Sequence, residues 1–386
     1  MMNFIKLNIL VVKMSKILVV GVNTRPVVNS FKKLGFEVYS VSYYNPIDCH
    51  SDKSEYLIND MSHGNFYNNY SEDELLNLAN NYEDMVDNYI ICSGIFESTN
   101  SKIPKWDTIG NSPKKINEIS NKYNITKNLQ KLGYNTPITK KINNKYQLEK
   151  FINEFEEVIL KPLFGCGGIG VIYINNKMLN IEFDLLNRLD IKYPILVQEY
   201  INSESYSISY INSNYLAFNK QIISRSDFGN MYVGNITPYS PELISKGFET
   251  QINQFSELIE TLDLTGMNGF DFMVKNGEPY IIDINPRILG TYETLEMSCN
   301  YNLAKVLLGS ECPKMEEIYY KRVLFANKDI VFKKDIFKKY GINIEDYIRD
   351  LPMEGAFISK NEPICTLIYP ELNKDLISDE FIKRCI

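Results

Sequence analysis

Two aspartates, an asparagine and an arginine are spaced so that one β-hairpin would gather them. The first aspartate stands in Phe270-Asp271-Phe272-Met273-Val274. The other three residues stand in Gly277-Glu278-Pro279-Tyr280-Ile281-Ile282-Asp283-Ile284-Asn285-Pro286-Arg287. Both runs read as strands joined by a Gly-containing turn. Side chains alternate along a strand, so Asp283, Asn285 and Arg287 are expected on one face, with Asp271 aimed the same way. Ile282 and Ile284 are expected to face a core. Two carboxylates and an amide oxygen beside one guanidinium suit a hard divalent cation that itself holds a polyphosphate. An ordinary polar-faced hairpin is the weaker reading, because a buried-looking strand seldom carries Asp, Asn and Arg in alternation without a shared partner.

A second group lies upstream. Val158-Ile159-Leu160-Lys161-Pro162 reads as a buried strand that ends in a lysine. Leu163-Phe164-Gly165-Cys166-Gly167-Gly168-Ile169-Gly170 follows, and then the apolar run Val171-Ile172-Tyr173-Ile174. Gly165, Gly167, Gly168 and Gly170 let the turn close tightly and present its backbone N–H groups to phosphates. Lys161 supplies a point charge for the same oxygens. No Gly-Lys-Ser/Thr follows and a strand, not a helix, comes next, so this is not a Walker loop.

These groups need a scaffold, and the chain has the length for one. With 386 residues it can hold two or three domains, and 44% hydrophobic with 23% charged residues is ordinary for a soluble protein. The net charge of -7 comes without a basic block, which argues against nucleic acid. Seven cysteines without a CxxC pair fit reduced thiols. His50 and His63 belong to no triad or zinc pattern, so histidine-centred acid–base chemistry is not expected. The apolar run from Phe4 to Val12 is too short to span a bilayer and lacks a signal-peptide cleavage site. Met14, just before the strand Ile17-Leu18-Val19-Val20, is the expected start.

From Ile17 the pattern is strand, turn, helix (Val27 to Leu34), strand (Phe36 to Val41), which predicts a parallel sheet with crossover helices. Only Gly21 remains of a dinucleotide fingerprint, so NAD has little support. Asn23 and Arg25, at the carboxyl end of the first strand, either meet substrate or cap the helix. Gly94 and Glu97, after the strand Ile90-Ile91-Cys92, face the same cleft. A boundary is expected near Gly110-Asn111-Ser112-Pro113, giving a βαβ unit over 1–112, a central domain over 113–312 and a β-rich tail over 313–386. Asn219 to Arg225 reads as a strand, Ser226 to Pro238 as a polar loop, and Leu351 to Tyr369 as two strands around a tight turn.

Together the acidic hairpin and the Lys-Gly turn resemble the ATP-grasp superfamily, over Ile17 to about Leu308. The resemblance implies a small N-terminal α/β domain, a two-lobed α+β core and a β-rich C-terminal extension. It implies that Gln198, Glu199 and Ile201, in Val197-Gln198-Glu199-Tyr200-Ile201, read adenine at the hinge between lobes. The family's ribose-binding acid is replaced here by Ser205, beside Glu204. Lys122 matches the lysine that reaches an ATP phosphate, with Lys127 as fallback. The segment around Arg225 would lie over the phosphates, and Glu293 or Glu296 would hold an amine or merely start a helix.

The implied chemistry is ATP-dependent activation of a carboxylate as an acyl phosphate, followed by attack of an amine or thiol, with ADP and phosphate released. Asp271, Asp283 and Asn285 would hold Mg2+ or Mn2+, Lys122 and Lys161 would neutralise the phosphates, and Arg287 would stabilise the group in transfer. A bicarbonate-activating enzyme and a non-catalytic ATP-binding protein are the alternatives. Implied partners are a small carboxylate and a small amine in the cytoplasm, with neither nucleic acid nor membrane, and the class admits a homodimer.

Overall fold

The computed structural model describes residues 15–58, 61–63, 66–98, 103–168, 170–175, 191–226, 229–334, 345–374 and 377. The expectation that the chain starts at Met14 falls outside them. β1 (Lys16–Gly21), β2 (Glu37–Ser42), β3 (Lys53–Tyr56) and β4 (Asn88–Ile91) form a parallel sheet in the order β3-β2-β1-β4. In β1 every residue after Lys16 is buried, as a central parallel strand covered on both faces requires. Helix α1 (Arg25–Lys33) starts on Pro26, whose missing N–H is no loss in a first turn, and ends on Lys32 and Lys33. The single turn α2 (Phe66–Asn69) precedes α3 (Glu72–Asn80), which Ser71 caps by accepting from the Glu74 N–H. Leu18 and Val20 pack on Leu75, Ile91 and Trp106. Ile17 and Val19 share a core with Met267, Tyr292, Leu295 and Leu303, which fastens this sheet to the rest of the molecule.

Helices α4 (Pro113–Ser120) and α5 (Lys122–Lys131) lead into a small antiparallel lobe. Its strands β5 (Thr139–Ile142), β6 (Glu157–Lys161), β7 (Ile172–Asn175) and β8 (Ile195–Glu199) run in the order β5-β8-β6-β7. Helix α6 (Lys145–Glu154) covers one face through Leu148, Phe151 and Ile152. The chain enters and leaves this lobe at one place, where the Glu199 N–H donates to the Ile138 carbonyl at 2.9 Å.

The remaining strands build one large sheet. β9 (Ser205–Ile211), β10 (Asn214–Ser226), β11 (Gly229–Thr237), β12 (Met267–Lys275), β13 (Glu278–Asn285), β14 (Tyr319–Phe325), β16 (Ile348–Arg349) and β18 (Pro363–Pro370) lie in the order β13-β12-β9-β10-β11-β14-β18-β16. β15 (Ile330–Val331) and β17 (Phe357–Ile358) pair apart from it. Phe255 and Leu258, on the helix Glu249–Thr261, pack on Phe270 and Phe272 under the sheet.

Two sequence expectations change here. Most of the polar loop read over Ser226 to Pro238 is strand β11, hydrogen-bonded to β10 and β14. Its Tyr232, Val233, Ile236 and Thr237 suit a pleated surface, and Gly229, Gly234 and the asparagines masked that signal. The two strands read between Leu351 and Tyr369 do not pair with each other: β17 joins β15, and β18 lies between β14 and β16. The strands of the tail extend the central sheet at β11–β14, although the tail keeps its own apolar cluster around Phe332, Ile358 and Leu367.

Candidate active site

The acidic hairpin turns at Asn276 (φ +56°) and Gly277 (φ +81°), the left-handed pair that a two-residue turn demands. Asp271 and Asp283 are direct cross-strand partners, and the register then slips so that Phe272 faces Ile281. Ile282 is therefore the extra residue of a β-bulge. Simple alternation puts Ile282 in the core; in the structure Ile281 and Ile284 occupy the core, and Ile282 joins Asp283 on the open side.

That side faces a cavity of about 530 Å3 between the three sheets. Asp271, Asp283, Asn285, Arg287, Lys122, Lys161, Gly165, Gly167, Gly168, Gln198, Glu199 and Ile201 all line it. Gly170 does not. It sits on the return of the loop, where a Cβ would lie 3.4 Å from Pro162.

A continuous polar chain crosses the cavity floor. Asn285 Nδ2 donates to Asp271 Oδ2 and Arg287 Nη2 donates to Asn285 Oδ1, each at 3.0 Å. Arg287 Nε donates to Glu97 Oε1 at 3.0 Å, and Glu97 Oε2 accepts from the Gly94 N–H at 2.6 Å. Glu97 thus holds Arg287 from the first sheet. Gln221 Nε2, on β10, donates to Asp271 Oδ1 at 2.9 Å.

The lysines meet the hairpin from the other side. Asn121 caps α5 by accepting from the Asn124 N–H, which sets Lys122 in the first turn, where its ammonium pairs with Asp283. The Lys122 N–H also donates to the Leu163 carbonyl at 2.9 Å, tying α5 to the glycine loop. Lys161 donates to the carbonyl of the bulge residue Ile282 at 3.0 Å. Burial, and then the neighbouring Lys122 charge, push the Lys161 ammonium down to about 8 against the pull of the aspartates. Burial would lower Lys122 too, but Asp283 outweighs it and holds that ammonium above its usual range. Burial, and then the opposed Asp283 charge, raise the Asp271 carboxyl to about 7. Arg287 is held above its usual range because Glu97 and Cys166 outweigh the burial that alone would lower it.

Among the described residues no group of three or more His, Cys, Asp or Glu could hold a metal ion. The set present is two carboxylates opposed across one register position, Asp271 and Asp283, and the amide oxygen of Asn285 further along the second strand. That donor chemistry fits a hard cation that brings phosphate oxygens or water for its other positions.

At the hinge, Gln198 Nε2 donates to Thr139 Oγ1 at 2.8 Å, and Glu199 pairs with Lys275 at 2.7 Å. Ser205 lines the cavity and bonds Gln221 at 2.5 Å, whereas Glu204 pairs with Lys220 at 2.8 Å and is not in the lining. Lys127 lies against the Tyr123 ring, outside the cavity. The Arg225 side chain falls outside the described residues. Glu293 pairs with Arg25 and Arg349, and Glu296 accepts from Ser30 and the Leu303 N–H, so neither waits in the cavity for an amine. Asn23 does line it, donating to Asp350 at 2.8 Å, while Arg25 is an ion-pair hub beneath.

The cavity also contains Tyr44, His63, Phe66, Lys321 and Asp350, which no motif marked. His63 had been set aside because no triad or zinc spacing surrounds it. Lys321 meets its partners Gly290 and Asp350 only through folding, so no local signal exists for it.

The sequence profile of the ATP-grasp domain matches residues 119–291. An uncharacterised protein of Methanocaldococcus jannaschii is 50% identical over 370 residues, covering 95% of this chain and 91% of that one. Among solved structures, N5-carboxyaminoimidazole synthetase from Staphylococcus aureus, complexed with ADP, superposes with a TM-score of 0.69 at 14% identity, covering 96% of this chain and 97% of that one. The biotin carboxylase domain of Hydrogenobacter thermophilus 2-oxoglutarate carboxylase, solved with MgADP and bicarbonate, superposes at 0.64 with 16% identity, covering 92% and 86%. At those identities the likeness is one of fold.

Proposed function

We propose that this chain, which belongs to the ATP-grasp superfamily, is a ligase that joins a small carboxylate to an amine through an acyl phosphate, releasing ADP and phosphate. One observation carries the reading. Asp271, Asn285 and Arg287, the last held from behind by Glu97, face the same cavity as Lys122, Lys161 and the glycine loop. Cations for a polyphosphate and oxygens for a divalent cation thus converge with one arginine beyond them.

In this reading Gln198, Glu199 and Ile201 border the adenine, and Lys122, Lys161, Gly165, Gly167 and Gly168 surround the phosphates. Gly170 lets the loop return. Asp271, Asp283 and Asn285 would hold Mg2+, which supplies charge neutralisation at the phosphates. A carboxylate oxygen attacks the γ-phosphorus and the bond to the ADP oxygen breaks. An amine nitrogen then attacks the acyl carbon and phosphate leaves. Arg287, pre-set by Glu97, stabilises charge on the group in transfer. The protein contributes position and preorganised charge, with no covalent protein intermediate. Closure of the loop would shield the acyl phosphate from water. The division at 112 and 312, and a cytoplasmic site where ATP is abundant, belong to the same proposal.

Phosphorus NMR of the protein with MgATP, carboxylic acids and amines tests it. ADP and phosphate are the expected products. AMP and pyrophosphate would refute it, and ADP release driven by bicarbonate alone would move the protein to carboxyphosphate chemistry.

A further inference from the structure

We propose that the cavity binds an anion-bearing amine beside Lys321, with its carboxylate or phosphate on the Lys321 ammonium and its body against the Tyr44 and Phe66 rings. This rests on the ligase reading above and names the class of nucleophile for it.

Lys321 projects from β14 and donates to the Gly290 carbonyl at 2.8 Å. An ammonium has three N–H donors, and among the described residues no other hydrogen bond is recorded for this one. The neighbouring acids are already engaged. Asp350 Oδ1 accepts from Asn23 at 2.8 Å and from Arg25 at 2.6 Å, and Thr366 also bonds this carboxylate. Glu293 is held by Arg25 and Arg349. Two of the Lys321 N–H donors are therefore left for a ligand. Burial pushes that ammonium below its usual range, with Asp350 and Glu293 only partly offsetting it, so an incoming anion would be stabilising.

The body and the amine have complementary surroundings. The Tyr44 and Phe66 rings lie nearly parallel, 6.2 Å apart at 16°, and the His63 ring is 5.2 Å from Tyr44. His63 bonds the Ile364 backbone through one ring nitrogen, and burial keeps the ring neutral by lowering its pKa to about 4. Its other nitrogen is then an acceptor, suited to an amine N–H.

The test uses the full chain with MgADP and matched pairs in ligand-observed NMR: phenethylamine against phenylalanine, propylamine against β-alanine, and ethanolamine against phosphoethanolamine. The anion-bearing member of at least one pair should bind and its counterpart without the anion should not, and the carboxylate and phosphate arms tell which anion is taken. Lys321→Met should weaken that binding tenfold or more, and Lys321→Arg should restore most of it. ADP affinity by calorimetry should stay within twofold in both variants. Equal binding of the members without the anion, binding of no pair, or undiminished binding by Lys321→Met overturns the proposal. If Lys321→Met fails to fold, the matched pairs and Lys321→Arg decide. Absence of MgADP binding by the wild type would instead strike the ligase reading, and the pairs measured without nucleotide would still judge Lys321.

Discussion

Asp283 balances the cationic side of the site, since Lys122 pairs with it and Lys161 feels its charge. Asp283→Asn should abolish Mg2+-dependent turnover while circular dichroism stays native. Turnover unchanged at saturating Mg2+ would remove Asp283 from the metal set. Lys161→Ala should weaken ATP binding by about 1.5–3 kcal/mol, the range for hydrogen bonds to charged groups, as read by calorimetry. His63 gives a pH dependence. Its folded pKa is about 4 against 6.5 for the free group, so below pH 6.5 the unfolded chain binds more protons. Stability is therefore complete above pH 6.5 and falls as pH drops toward 4, by on the order of 3 kcal/mol. Urea unfolding at pH 7 and pH 4 should show that loss, and His63→Gln should shrink it.

Elements carry a different kind of test. The bulge at Ile282 decides which isoleucine is structural. Ile281→Ala should cost about 2–4 kcal/mol as a core truncation, and Ile282→Ala under about 1 kcal/mol; the reverse order in denaturant melts would contradict the register. Gly234 joins β11 to β14 with φ +153°, and a Cβ there would lie 1.9 Å from the Lys321 carbonyl. Gly234→Ala must therefore displace the strand that carries Lys321, and should lower Tm by several degrees. The bulge also shows where sequence reading stops. Alternation placed Asp283, Asn285 and Arg287 together because those residues follow the slip. It failed for Ile281 and Ile282 because the slip falls at Ile282 itself, and an extra residue leaves no local mark. Strand β11 was hidden for another reason: glycine and asparagine suited to a close strand–strand approach look like turn residues when no neighbour is in view.

At the scale of the molecule, Arg25 joins three parts of the chain. It lies just after β1 and pairs with Asp48, with Glu293 on the helix Tyr292–Ser298, and with Asp350 before β17. Removing it leaves several acids facing one another in a buried place, so Arg25→Ala should destabilise by about 3–5 kcal/mol, measured by chemical unfolding. Arg25→Lys should recover only part, because it loses the planar fork. The sequence drew attention to Arg25 as a substrate contact or cap, but its true partners are 23 to 325 residues away. That the lysine, the glycine turn and the acidic hairpin share one cavity was largely legible, since each is a local pattern. The Lys321 part was not, because Tyr44 follows β2, His63 precedes α2 and Lys321 lies on β14, so they reach one cavity only through folding.

The small lobe enters and leaves the molecule through one hydrogen-bonded pair, Ile138 and Glu199. Such an insert behaves as a cassette. Two chain ends already side by side can be bridged by a few glycines, so the stretch between them should be removable, or exchangeable with that of a relative, without rethreading the rest. Nucleotide preference could then be transplanted between homologues as one contiguous piece of DNA, leaving the acceptor end to be varied separately.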